Sequence, residues 1–449
     1  MSKWLAVAAV ITLASGCNFG SNKAFTCDPS SPTQQCNGGP GGMCEPLGFC
    51  SFSDPTCPSG RRYGDLSGAQ SGVCVGQEHK EIDASVPPPK DAAIDSAIDA
   101  PPPDAQACFG TGIVKVCFAS APDQPKTFSA DQTLDTDAAG VCATNVISGG
   151  TGYCVIGATT ISVTAVLRAT GSRPLVLIAS DSISVSGVGL IDASSRRLRS
   201  PPSAPETGAG ADPALCIPGT PATNGGGGAG GSFDGSGGTG GTGNGANAST
   251  VAVPATPPIL ILRGGCAGQD GQKTAPGSAG HGGGAVYLIA GTRIDIGGKG
   301  ITAGGEAGGG GVGGGQNGDG GGGGGGGAGG MLGFDAPTIA ATAPVVANGG
   351  AGGEGGRADS NVAGNDGADA GTTLGPARGG NGATATGGDG GNGSAGAARG
   401  PGANGSNGVS TGGGTPNFGG GGGGGGGAGL IKAPATASFA NMVSPLPTP

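Results

Sequence analysis

Long stretches of this chain are spaced in threes. Asn348, Ala351, Glu354 and Arg357 are each separated by two glycines; Ser236, Thr239 and Thr242 keep the interval, and so do Thr386, Asp389 and Asn392. A chain with three residues per turn, the polyproline II geometry, puts every larger side chain on one edge and leaves the other edges bare. Bare glycine edges let neighbouring backbones approach closely and hydrogen-bond sideways. Glycine also loses the most entropy on ordering, so such tracts can remain disordered. Packed polyglycine arms (polyglycine II) and disordered loops are therefore both open readings. Collagen fits poorly, because its glycine period holds only briefly, around Gly402, Gly405 and Gly408.

An ordinary globular core is ruled out over the C-terminal half. The chain of 449 residues holds 108 glycines and 34 prolines, with 3% aromatic residues. Beyond Cys216 the only aromatic residues are Phe233, Tyr287, Phe334, Phe418 and Phe439. What apolar sequence there is comes as short strand signals. Residues 161–167, ISVTAVL, alternate apolar with small polar side chains, and 175–179, LVLIA, read as a short buried strand. PLVLIASDSISVSGVGLIDASS at 174 is echoed by AVYLIAGTRIDIGGKGITAGG at 285. Weaker echoes are MLGFDAPTIAATAPVVANGG at 331 and AGLIKAPATASF at 428. Each unit holds about three short strands, the pattern of one coil of a parallel β-helix, with unequal insertions between units. The fold class expected is mostly β: a small disulfide-rich head, then a parallel β-helix-like solenoid with glycine-rich insertions.

The cysteines and the N-terminus give an address. Lys3 precedes an apolar run at 4–13, too short to cross a bilayer, which ends in Ala14-Ser15-Gly16-Cys17. This resembles a bacterial lipobox, with Ala14 where Leu is commoner. The resemblance implies a signal peptide over 1–16, cleavage before Cys17 and lipidation of its thiol and amine. Asn18, not Asp, follows, which permits transfer to the outer membrane. Without Cys17 the 13 cysteines become twelve. They fall into two sets of six: Cys27, Cys36, Cys44, Cys50, Cys57 and Cys74, then Cys108, Cys117, Cys142, Cys154, Cys216 and Cys266. Even sets fit disulfides in an oxidising compartment, with pairings that spacing alone leaves open. Zinc is disfavoured, since no Cys-x-x-Cys occurs and neither His79 nor His281 stands at ligand spacing.

Four parts follow the leader. Residues 17–76 form a cysteine-rich disulfide head. The run CSFSDPTCPSGRRY from Cys50 to Tyr63 resembles the cysteine-rich heads of myxobacterial-type surface lipoproteins, which implies export and carries no activity with it. Arg61-Arg62-Tyr63 reads first as a polar turn in that knot, and second as a contact site. Residues 77–107, acidic with two proline triplets, read as a stiff polyproline spacer. Residues 108–200 begin the β-rich part, and 201–449 form the glycine-rich solenoid with low-complexity insertions. The glycine tracts resemble the repeats of PE-PGRS surface proteins in their spacing alone, so no function transfers.

No catalytic constellation emerges. β-Helix enzymes acting on polysaccharides bring carboxylates together on one face; the candidates here are Asp181, Asp192 and Asp295, and the last two occupy different positions in their repeats. Gly-Gly-x runs near Asp319 and Asp389 have the composition of calcium β-rolls without their spacing. No glycine tract ends in Gly-Lys-Ser/Thr, and neither histidine has a local Ser or Asp partner for nucleophilic chemistry. No metal or cofactor is expected. A net charge of -9 argues against nucleic acid as a partner. The function expected is a non-enzymatic outer-membrane lipoprotein at the cell surface in a structural or adhesive role. Its partners would be the membrane through the lipid, and matrix, polysaccharide or neighbouring cells. A carbohydrate-binding or carbohydrate-cleaving β-helix and a periplasmic scaffold are the alternatives.

Overall fold

The computed structural model describes residues 27–28, 36, 41–64, 67, 70–76, 107–142, 144–148, 151–197, 206–243, 247–252, 254–255, 258–273, 275–316, 318–412 and 416–449. Cys17, the leader before it, His79 and the proline-rich stretch 77–106 lie outside the described residues. The chain divides into two compact units, Met1–Asp99 and Ala100–Pro449. Both are built from strands, and no α-helix occurs among the described residues.

The first unit is held by cross-links. Met43–Cys44, Cys50–Ser53 and Arg61–Tyr63 form a three-stranded antiparallel sheet. Among its described residues the one apolar cluster consists of buried Cys27, Cys36 and Cys50, with Cys44 and Phe52 packed against them. The bridges are Cys27–Cys44, Cys36–Cys50 and Cys57–Cys74. The two arginines of the Arg61-Arg62-Tyr63 strand are engaged inside this unit. Arg61 meets the buried Glu45 at 3.2 Å, and Arg62 donates to Asp54. The Arg62 guanidinium and the Thr56 hydroxyl and amide hold the Asp54 carboxyl down at about 2.

In the second unit short strands recur in threes. Leu175–Val185 carries two strand segments with a register shift between Ala179 and Ser182, and Leu190–Asp192 supplies the third. The triplet returns as Ala285–Ala290, Arg293–Ile296 and Gly300–Thr302, and again as Met331–Asp335, Thr338–Ala341 and Val345–Val346. Thr151–Val163 and Val166–Thr170 precede these; Leu430–Lys432 and Val443–Ser444 follow, with Ser438 bridged to Ala340. Corresponding strands pair in parallel. Antiparallel Thr144–Ser148 closes one edge against Thr151–Val163.

Register places like side chains in columns. Cys154, Leu175, Val286, Leu332 and Ile431 form one column. Ile161, Ile183, Ile294 and Ile339 form a second, and Leu167, Ile191, Ile301, Val345 and Val443 a third. All these residues belong to one apolar core. Period-two alternation thus turns one set of side chains inward at each triplet. The first strand of each triplet reads apolar without a break because its other face is buried too. Val176, Ile178, Tyr287, Ile289 and Met331 pack there against Val114, Val116, Phe233 and Leu262. Tyr287 lies across Gly333, where a Cβ would meet its ring at 2.2 Å.

The glycine tracts leave from one place in each triplet. They connect the third strand to the first strand of the next, over 193–284, 303–330 and 347–429. They are ordered by hydrogen bonds that point three ways. In 419–427, nine consecutive glycines, Gly420, Gly423 and Gly426 donate to Gly356, Gly353 and Gly350. Gly421, Gly424 and Gly427 donate to Gly225, Gly228 and Gly231, while Gly419, Gly422 and Gly425 donate to Val409, Ser406 and Ala403. Carbonyls of the same tract accept from Gly323 and Gly326, from Gly238 and Gly241, and from Gly388 and Gly391. The tract therefore touches six neighbours, some parallel and some antiparallel. That mixed polarity is incompatible with collagen.

The eight glycines at 320–327 are placed alike. They donate toward 306–312, 269–272 and 418–424, and accept from 228–231, 277–280 and 350–356. The two unbroken glycine runs are thus each hydrogen-bonded to neighbouring tracts on all sides. The period-three side chains divide. Ser236, Thr239 and Thr242 are half-buried, whereas Asp389 and Asn392 reach solvent. Asn348, Ala351 and Glu354 are buried against a further arm. The Glu354 carboxylate accepts from the amides of Asn365, Ala383 and Thr384 and from the Thr384 hydroxyl, at 2.8 to 3.1 Å.

The bridges here are Cys108–Cys117, Cys142–Cys154 and Cys216–Cys266. Pairing therefore stays within each set of six, and all twelve described cysteines are oxidised.

Candidate functional site

The densest group of ionisable side chains lies where the arms leave the ladders. His281 sits in the tract running into Ala285–Ala290, and its Nδ1 is 2.6 Å from an Asp212 oxygen. The other Asp212 oxygen accepts from the Gly282 amide at 2.9 Å. Asp212 itself adopts a left-handed backbone, φ 48°, which Asp tolerates better than most residues. Glu306, 1% exposed, accepts from the His281 amide at 3.1 Å and meets Arg197 at 3.4 Å. Arg197 also donates to the carbonyls of Ala279 and Ala307 and to the Ser278 hydroxyl. Asp369, from the following arm, accepts from the amides of Arg197 and Ala307. One guanidinium and three carboxylates thereby bolt together tracts that the glycines alone would not distinguish.

Sequence reasoning left His281 without an acidic partner, and the structure corrects this. Asp212 lies 69 residues away, and no local spacing could have shown the pairing. The hydrogen bond to Asp212 raises the His281 pKa, against burial, which lowers it. Burial raises Glu306 and Asp369 above the ordinary carboxyl range, opposed by their backbone hydrogen bonds.

These shifts share a sign. Each of the three groups binds its proton more tightly in the fold than in the unfolded chain. Their contribution to stability is full below the unfolded pKa and falls as pH rises through the folded one. The carboxyl part declines from about pH 4 upward and the histidine part from about pH 6.5 upward. The expected result is a higher melting temperature for the second unit at about pH 6 than at about pH 8.5. His281→Gln should flatten that upper slope. Thermal unfolding across this range checks it, and a wild-type curve that is flat or rises there refutes it.

The three carboxylates named from the sequence do not converge. Asp192 is fully buried on a third strand, paired with Arg168 at 3.0 Å and with Arg196, and Arg168 also meets Glu206 at 2.7 Å. Asp295 pairs with Arg293 at 2.7 Å on the next triplet's second strand, in register with Ser184. Asp181 is exposed at the register shift, accepting from the Thr292 hydroxyl at 2.8 Å. The nearest thing to a metal-ligand cluster is Cys27, Cys36 and Cys50, with sulfurs within 4.8 Å of one another, but each is in a disulfide.

No helix among the described residues is long and apolar enough to cross a membrane. Comparison of the chain with protein-family models, curated proteins and solved structures found no match.

Proposed function

We propose that this chain is an exported lipoprotein, anchored through Cys17 in the outer membrane and facing outward, with a structural or adhesive role. In this reading the strand triplets are coils of a three-sided parallel β-solenoid, and the arms form a polyglycine II bundle along one corner of it. The observation that carries the reading is the oxidation of all twelve described cysteines, because disulfides persist outside the reducing cytosol. The lipobox-like sequence before Cys17 and the acidic proline-rich stretch add an anchor and a spacer.

A body fastened by backbone hydrogen bonds and cross-links suits display. It presents exposed polar side chains, such as Asp389, to matrix, polysaccharide or neighbouring cells. Protease shaving of intact cells, probed for the region beyond residue 108 and compared with lysed cells, tests the orientation. Release from intact cells is expected; cleavage only after lysis would replace the reading with a periplasmic scaffold. Cys17→Ser should abolish surface attachment and reduce adhesion with it. Unchanged adhesion would remove the adhesive part.

A further inference from the structure

One cleft of the second unit reverses the usual partition of side chains. It has a volume of about 470 Å³, and Leu215, Ile217, Pro258, Leu260 and Arg263 are among its lining. Leu215, Ile217 and Leu260 are 54%, 78% and 68% exposed, while the charged Arg263 is only 7% exposed. Large aliphatic groups thus stand in water at the mouth, and a cation is buried at the wall. The Arg263 guanidinium carbon lies 4.6 Å from the centroid of the buried Phe233 ring. Among the described residues its one polar approach is from Nη1 to Cys266 Sγ, at 4.0 Å.

No carboxylate pairs with Arg263 among the described residues, although the chain carries 30 acidic residues. Burial lowers its pKa with no compensating neighbour. Among the described residues the guanidinium has neither an anion nor a carbonyl partner, a costly arrangement for a cation this buried that an anion bound in the cleft would relieve.

We propose that this cleft binds an aliphatic monocarboxylate, a ligand of the fatty-acid class, with its carboxylate on Arg263 and its chain against Leu215, Ile217 and Leu260. The planar guanidinium presents paired donors that match a carboxylate, and Phe233 braces the guanidinium. The volume falls within the roughly 300–1,000 Å³ of small-molecule sites. The Cys216–Cys266 bridge ties the two walls together, since Leu215 and Ile217 flank Cys216 and Cys266 follows Arg263. The site is independent of the proposed anchoring and display role.

The test uses the oxidised full chain carrying Cys17→Ser, so that no attached acyl chain competes, titrated with dodecanoate in a calorimeter below its micelle concentration. Saturable binding is expected, with dodecanol much weaker and dodecyltrimethylammonium not bound. Arg263→Gln should weaken dodecanoate by at least about tenfold, and it removes a buried charge, so the fold should survive it. Leu260→Glu, at an exposed position, should weaken binding by repulsion without touching the core. Absence of saturable binding, equal binding of dodecanol, or undiminished binding by Arg263→Gln would each overturn the proposal. So would a dimer in sedimentation that Leu260→Glu dissolves and dodecanoate does not, since the cleft would then be a self-association surface.

Discussion

Alanine in place of Gly423 is expected to destabilise the second unit by at least about 3 kcal/mol, the upper range for overpacking a filled interior. An added Cβ there would stand 1.9 Å from the Gly324 carbonyl oxygen. Its neighbours in the tract are no better placed: a Cβ on Gly422 would meet the Asp389 oxygen at 2.0 Å, and one on Gly424 the Gly238 oxygen at 2.0 Å. Three successive positions thus strike three different tracts, so sliding or rotating the chain gives no escape. None of the three has a positive φ, and the penalty is one of contact rather than backbone strain. Gly375 is the control. Nothing lies within 4 Å of its would-be Cβ and its φ is ordinary. Gly375→Ala should be neutral or stabilise by about 0.4–1 kcal/mol, because it restricts the unfolded chain. Urea unfolding of the pair decides the matter: similar midpoints for Gly423→Ala and Gly375→Ala would mean that the bundle is not packed in solution as described.

The second large effect is expected in the first unit on reduction. Its bridges close 17, 14 and 17 residues, and each such loop contributes about 3 kcal/mol in the chain-entropy account. Among its described residues the one apolar cluster is made of the bridged Cys27, Cys36, Cys44 and Cys50 with Phe52, so opening the bridges takes that cluster apart. Reductant should therefore make 41–76 protease-sensitive all at once. The second unit should keep its ladders under the same treatment. Opening Cys216–Cys266, which spans 50 residues, removes about 4 kcal/mol there, and the shorter Cys108–Cys117 and Cys142–Cys154 loops about 3 kcal/mol each, but the Leu, Ile and Val members of the columns remain to hold the ladders. Peptide mapping by mass spectrometry after brief proteolysis distinguishes the outcomes. A protease-resistant 41–76 fragment in reductant would show that the head has a source of stability other than its bridges.

Much of the second unit could be read from the chain alone, for a physical reason. Strands buried on both faces must be apolar and short, so LVLIA at 175, AVYLIA at 285 and MLGFD at 331 mark themselves, and their pairing follows their order. The weak echo at 428 also pairs where its repeat would place it, Leu430 against Met331. Glycine period three identified bare edges, but it did not reveal which edges face solvent. Glu354 and Asp389 have similar Gly-Gly flanks; one is fully buried and the other exposed. That difference arises because 362–384, later in the same tract, fold over Glu354 and donate to its carboxylate from Asn365, Ala383 and Thr384.

Long-range polar pairs were invisible for the same reason. Asp335 receives the amides of Thr111 and Gly112, and His281 meets Asp212, across separations that no local pattern encodes. Arg263 gave no signal in sequence because its character lies in what surrounds it rather than in any motif.

A tract joined to its neighbours by backbone groups at every third residue carries no record of its own register. Moving 419–427 along its axis by one turn would re-form the same bonds with the next residues. Only the apolar strand that follows without a break, beginning at Leu430, forbids the move. For the gene, this makes nine-nucleotide gains and losses far from the strand nearly silent, while single-codon changes put every following residue against the wrong neighbour. Lineages of this chain should therefore differ in arm length by threes, and keep the distance from the last glycine to the first strand residue constant.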